Sequence, residues 1–174
     1  MAIARRSRLV LVGSVFVVGL ALIYPAKWLI HPWAAPWKPG LVGYWQGEVA
    51  YGPGDNRTMV LRLKDGVGGG DESSEIGGSA TVCGSGQPVT YAISGYANDY
   101  RGTSFFLNAE IPTNGVGLFL GRLDGSWDGH DSLAMSTALL KIDADGTASR
   151  VTSGDASFQL RRASEADFAA ACDS

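Results

Sequence analysis

Gly43-Tyr44-Trp45-Gln46-Gly47 opens the first stretch of the chain with a period of two. Leu41, Gly43, Trp45, Val49 and Tyr51 share one parity, while Tyr44, Gln46 and Glu48 share the other. That alternation predicts a strand with one buried face, Trp45 pointing inward. The spacing returns at Gly125-Ser126-Trp127-Asp128-Gly129. This second copy reads as the weaker one, because Trp127 stands in a turn-rich segment between Asp124 and Asp128.

Outward from this stretch, Gly52-Pro53-Gly54-Asp55-Asn56 is a turn cluster, and Met59, Leu61 and Leu63 then alternate with Val60, Arg62 and Lys64. The pair reads as a hairpin. Asp65 to Gly78 is a glycine-rich acidic loop, and further strands follow at Ala80 to Cys83, Val89 to Tyr96, Thr103 to Ile111, Val116 to Leu123, Ser132 to Ile142 and Ala156 to Arg162. About eight short strands with almost no helical period predict a mainly β domain, an antiparallel up-and-down β-barrel or a strongly bent sandwich. Ser164 to Ala171 predicts a short C-terminal helix, with Ser164 as N-cap and Asp167 three residues on.

The N-terminal end has a different character. Residues 1–8 carry Arg5, Arg6 and Arg8, and residues 9–30 are apolar apart from Lys27. The uncharged run Leu9 to Tyr24 spans roughly 24 Å as a helix against a hydrocarbon core of about 30 Å, enough for one tilted transmembrane span. A cleaved secretory signal has the same basic start and apolar middle, but no small-x-small tripeptide well suited to cleavage closes the run, so the segment reads as an uncleaved signal-anchor. Tyr24, Lys27, Trp28, Trp33 and Trp37 match the composition of a membrane-interface belt. The basic N-terminus predicts that residues 1–8 stay in the cytoplasm and that residues 41–174 are exported. Pro32, Pro36 and Pro39 make residues 31–40 a stiff spacer.

Nine basic and all 17 acidic residues follow Gly40, so the exported part carries −8 at neutral pH. That charge excludes nucleic acid as an electrostatic partner. The two cysteines, Cys83 and Cys172, predict in an oxidising compartment an intramolecular disulfide that staples the C-terminal segment to the sheet. Two free thiols are the alternative if the topology is reversed.

Gly43-x-Trp45 at the first strand, with Arg161-Arg162 ending the last, resembles the signature of the calycin superfamily, the lipocalin and avidin type of β-barrel. The resemblance implies that the tryptophan closes one end of the barrel and the arginine packs across it, covering the base by stacking and by hydrogen bonds to backbone carbonyls. Phe158 and Leu160 share a parity with Arg162, which makes Arg162 the inward arginine.

Signals for chemistry are sparse. Asp128-Gly129-His130-Asp131-Ser132 contains an acid, an imidazole and a hydroxyl, yet neighbours along a turn do not converge as a triad requires. Asp143-x-Asp145-Gly146 matches the opening of a calcium loop without the acidic ligand further on, and Asp71, Glu72 and Glu75 read as a solvated acidic loop. No cofactor, metal or catalytic residue is therefore assigned. The inward set Trp45, Met59, Leu61, Leu63, Tyr91, Ile93, Phe105, Leu107, Leu118, Leu120 and Met135 suits a packed interior or one small apolar ligand. Tyr44, Tyr96, Tyr100 and Phe106 fall on the opposite parity and are candidates for a partner surface.

The expectation is a single-pass protein of the inner (plasma) membrane of a bacterium-like cell, with a periplasmic barrel that serves as a non-catalytic accessory or interaction subunit of a membrane or envelope complex. A lipocalin-like binder of a small apolar ligand near the membrane is the alternative, and a hydrolase using His130 a distant third.

Overall fold

The structure, a computed structural model, describes residues 40–65, 76–84, 87–98, 103–111, 115–151 and 155–172. The signal-anchor, the interface residues Tyr24 to Trp37 and Tyr100 lie outside them, as does the acidic loop at Asp71, Glu72 and Glu75. Among the described residues no helix is long and apolar enough to cross a membrane.

The strands are β1 (Gly43–Gly52), β2 (Asp55–Asp65), β3 (Ile76–Cys83), β4 (Val89–Ala97), β5 (Ser104–Ala109), β6 (Gly117–Trp127), β7 (Ser132–Ile142), β8 (Ala148–Arg150) and β9 (Ala156–Ala163). Every pairing is antiparallel, running from β1 to β7 between sequence neighbours. The far part of β7 then pairs with β8 and its near part with β9, while β9 returns to β1. Because β8 and β9 lie in succession along the same edge of β7, they form one interrupted stave. The result is a closed, up-and-down antiparallel barrel of eight staves.

Parity explains the core. Trp45, Val49 and Tyr51 of β1, Met59, Leu61 and Leu63 of β2, and Phe105 and Leu107 of β5 all lie inside with at most 3% of their surface exposed. An eight-stranded barrel is just wide enough for such side chains to fill. In β6 the parity resets: Leu120 pairs with Leu139 but Leu123 pairs with Thr137, so one extra residue bulges out. After that bulge Leu123, Gly125 and Trp127 are the buried positions. The expected end of the strand at Leu123 is therefore corrected, since the bulge conceals a continuous strand from a strict period of two.

Close approach requires glycine at four positions in the wall, Gly47, Gly78, Gly95 and Gly125. A Cβ on Gly47 would lie 2.1 Å from the Gln159 carbonyl oxygen, where β1 meets β9, and one on Gly125 would lie 2.2 Å from the Phe105 ring. Both strands reach their neighbours only because these positions have no side chain.

Helix α1 (Glu165–Ala170) follows β9 and lies outside the barrel. Ser164 and Asp167 make a capping box, the Ser164 hydroxyl accepting from the Asp167 amide and the Asp167 carboxylate accepting from the Ser164 amide. Cys83 of β3 and Cys172 beyond the helix form a disulfide, their Cα atoms 5.4 Å apart.

Candidate functional site: the two barrel ends and the outer wall

At the base, where β1 begins and β6 and β9 end, the structure brings Gly43, Trp45 and Arg162 together. Trp45 pairs across the sheet with Arg162, whose guanidinium carbon lies 4.3 Å from the centre of the indole. The Trp45 indole N–H donates to the Leu41 carbonyl at 2.9 Å. Arg162 donates to the carbonyls of Gly40, Val42 and His130, and its Nε lies 3.3 Å from Asp131 Oδ1, near enough to pair but out of line for a hydrogen bond. Gly43 adopts φ 141°, and a Cβ there would meet Arg162 Nη1 at 3.0 Å. Trp127 is buried at the same end, its indole N–H donating to the His130 carbonyl at 3.1 Å. β1 leaves the base while β6 arrives at it, so the two Gly-x-Trp-x-Gly copies deliver two inward tryptophans to one end.

The opposite end, the mouth, joins Tyr51, whose inward parity the sequence shows, to Arg57, which the sequence reading did not single out. Arg57 has the inward parity of Met59 and Leu61, and its guanidinium lies 4.1 Å above the ring of Tyr51. Asp55 holds it there through two hydrogen bonds, at 3.0 and 2.8 Å. Below this plug the Leu120 amide donates to the Tyr91 hydroxyl at 3.4 Å, and Phe119 packs edge-on against the Tyr91 ring. Burial raises the pKa of both phenols above the usual value, and for Tyr51 the nearby Tyr91 hydroxyl adds to the rise. No hydrogen bond of ordinary geometry satisfies the buried Tyr51 hydroxyl. The signal that could have found this plug is an arginine on the buried parity of an otherwise apolar strand.

On the outer wall Tyr96 of β4 pairs with Phe106 of β5, their ring centres 5.7 Å apart, and Arg122 of β6 lies 4.1 Å over Phe106. Arg122 is also paired with Asp124 at 2.9 Å. Beside this ridge lies an open groove of about 560 Å³. It is lined on the outer faces of β6, β7 and β9 by Asp124, Ser126, Ala134, Ser136, Ser157 and Gln159. Tyr44 is elsewhere, on β1 across the barrel from β5. Phe168 of α1 packs 5.2 Å from its ring, with Arg62 5.4 Å away on another side.

The Asp128-to-Ser132 run is a turn between β6 and β7. Asp128 Oδ1 accepts from the amides of His130 and Ser132, at 2.7 and 3.2 Å, and these bonds hold its carboxyl below the usual range. Asp145 likewise accepts from the Thr147 amide at 2.8 Å in the β7–β8 turn. Among the described residues no three His, Cys, Asp or Glu side chains gather at a point that could hold a metal.

No protein-family model, curated protein or solved structure matches the chain. The architecture is compatible with a calycin-like barrel, and the functional argument rests on the geometry alone.

Proposed function

We propose that the chain is a membrane-anchored, non-catalytic barrel domain, displayed on the periplasmic side, that acts as an interaction subunit of a membrane or envelope complex. The barrel is of the calycin type on this reading. The observation that carries it is the closure of both barrel ends: Arg162 stacks on Trp45 at the base and Arg57 on Tyr51 at the mouth. With apolar side chains buried between these plugs, the chemistry offered to a partner is on the outer wall, at Tyr96, Phe106 and Arg122. Aromatic residues and arginine are the side chains enriched at protein interfaces. The spacer joins the barrel at the base, where Gly40 is tied to Arg162, so the base faces the bilayer and the wall faces neighbouring membrane proteins.

The test is affinity purification of the full-length chain from detergent-solubilised membranes, wild type against Phe106→Ala/Arg122→Ala. A stoichiometric co-purifying protein lost in the double variant supports the reading, and an identical set of companions in both removes the wall as the interface. A periplasm-active reporter fused after Ser174 must also be active, since a silent one reverses the topology.

A second reading, a binder of a small apolar ligand, is favoured by the Tyr51 hydroxyl beneath the mouth plug, which no hydrogen bond of ordinary geometry satisfies. Saturable one-to-one uptake of a fluorescent alkyl probe by the folded chain supports it, and no uptake removes it.

A further inference from the structure

The ladders that close the barrel all round its base half do not run on to the mouth. β5 pairs with β6 only from Ser104↔Ser126 to Leu107↔Leu123; beyond that β5 keeps to β4, through Ala109, while Gly117–Leu120 of β6 pair with β7 alone. On the other side β8 pairs with β7 alone, and β9 pairs with β1 only from Tyr44↔Ala163 to Gly47↔Leu160. The bulge in β6 and the break between β8 and β9 fall at one level, that of Ala138 in β7. On one side of it Leu123 and Ala156 both pair with Thr137; on the other Leu120 pairs with Leu139, whose carbonyl accepts from the Val151 amide. Gly117–Leu120, Leu139–Ile142 and Ala148–Val151 therefore make a three-stranded flap with two unpaired edges and a single hinge line, at a bulge, where a strand bends. Phe119, Leu120 and Leu139 of the flap are buried in the interior cluster. Among the described residues, the one hydrogen bond tying the flap to the wall opposite is that from the Leu120 amide to the Tyr91 hydroxyl, long at 3.4 Å. Two exposed valines, Val116 and Val151, flank its free edges.

We propose that this flap is a side door to the barrel interior, the route by which one alkyl or acyl chain enters while the mouth plug stays shut. Swinging about Ala138, the flap lifts Phe119, Leu120 and Leu139 from the Tyr91 side of the interior and vacates the space they fill, and the methylenes of the guest take their place. The exchange is apolar for apolar, so the guest restores the burial lost on opening. Elements with few hydrogen bonds to the rest of a fold are the ones that open locally at low free energy. The plug does not move with the door, because Tyr51, Asp55 and Arg57 all lie on the β1–β2 hairpin and are bonded and stacked among themselves. The base does not open either, since four strand pairs hold the flap's lower end to β5 through β6 and four more hold β9 to β1. The door rests on the reading of the chain as a binder of a small apolar ligand and is independent of the outer wall.

The test takes the full-length chain in lipid nanodiscs, as wild type, Tyr91→Phe and Arg57→Ala, and measures amide hydrogen exchange and the stopped-flow uptake of a fluorescent alkyl probe. Residues 117–120, 139–142 and 148–151 are expected to exchange about tenfold faster than β2 to β4 and than residues 123–127 and 132–137 below the hinge. Tyr91→Phe removes the acceptor of the bond between flap and wall. It is expected to raise flap exchange and the rate of uptake together, severalfold, with exchange in β2 and β3 unchanged, while Arg57→Ala leaves the uptake rate as it is. Uniform protection from residue 117 to residue 142 overturns the door. Uptake that quickens in Arg57→Ala and not in Tyr91→Phe overturns it too, by putting the entrance at the mouth. No uptake in any of the three chains removes the apolar-ligand reading and the door with it, whereas a failed door under a sound reading shows as uptake at one rate in all three.

Discussion

Arg162 and Trp45 face each other directly across the seam that closes the barrel, guanidinium over indole at 4.3 Å. The same arginine spends its other donors on the carbonyls of Gly40, Val42 and His130, so one side chain joins the last strand to the chain entry and to the β6–β7 turn. Arg162→Ala is expected to lower unfolding free energy by about 2–4 kcal/mol, from a cation–π contact and charge-assisted hydrogen bonds lost together. The measurement is the urea midpoint at constant m-value. Arg162→Lys should recover little, because an ammonium cannot stack and fork at once.

The Phe105 ring lies over Gly125. Gly125→Ala should cost roughly 1–3 kcal/mol by overpacking. Phe105→Leu in the same chain should relieve part of that cost, giving a favourable coupling in a double-mutant cycle. Gly52→Ala, with nothing within 4 Å of the added methyl, is the neutral control.

Tyr51 carries a buried hydroxyl that no hydrogen bond of ordinary geometry satisfies, with the Tyr91 hydroxyl its neighbour. Tyr51→Phe should leave stability unchanged or raise it by up to about 1 kcal/mol, since an unsatisfied polar group is removed at constant shape. The pH dependence has a defined sign. A phenol whose folded pKa is raised contributes stability that is present below the unfolded value near 10 and is lost as pH rises above it. Tyr51→Phe should therefore flatten the fall in stability above pH 10, read as the melting temperature from pH 9 to pH 11.

At the acid end the sign reverses. Asp55, hydrogen-bonded to Arg57, and Asp167, bonded to Ser164, have their carboxyls held below the usual range. Their contribution is present above the unfolded carboxyl pKa near 4 and is lost as pH falls through the lower folded value. Asp55→Asn should remove part of the stability loss between pH 5 and pH 2 and leave the alkaline limb untouched, by the same melting series.

Much of the architecture is legible in the residues because a half-buried strand states its own parity. Trp45, Met59, Leu61, Leu63, Phe105 and Leu107 point inward as their alternation requires. Ser164 and Asp167 announce their capping box at a spacing of three. Trp127 was harder to place, because the bulge between Leu120 and Leu123 breaks the period that would have carried the strand to it. Arg57 was hidden by its charge: its parity is inward, but only the stacked Tyr51 ring and the Asp55 carboxylate show why a cation can close the mouth.

By itself the sequence determined the mainly β class, the strand parity, the inward Trp45 and Arg162 and the short capped helix, all of which follow from local spacing and backbone chemistry. Tertiary structure alone decided the eight-stave closure, the meeting of Trp45 and Trp127 at one end and the Arg57–Tyr51 plug. These depend on register between strands far apart in the chain, and a period of two fixes which face a residue takes without fixing which residue it meets there.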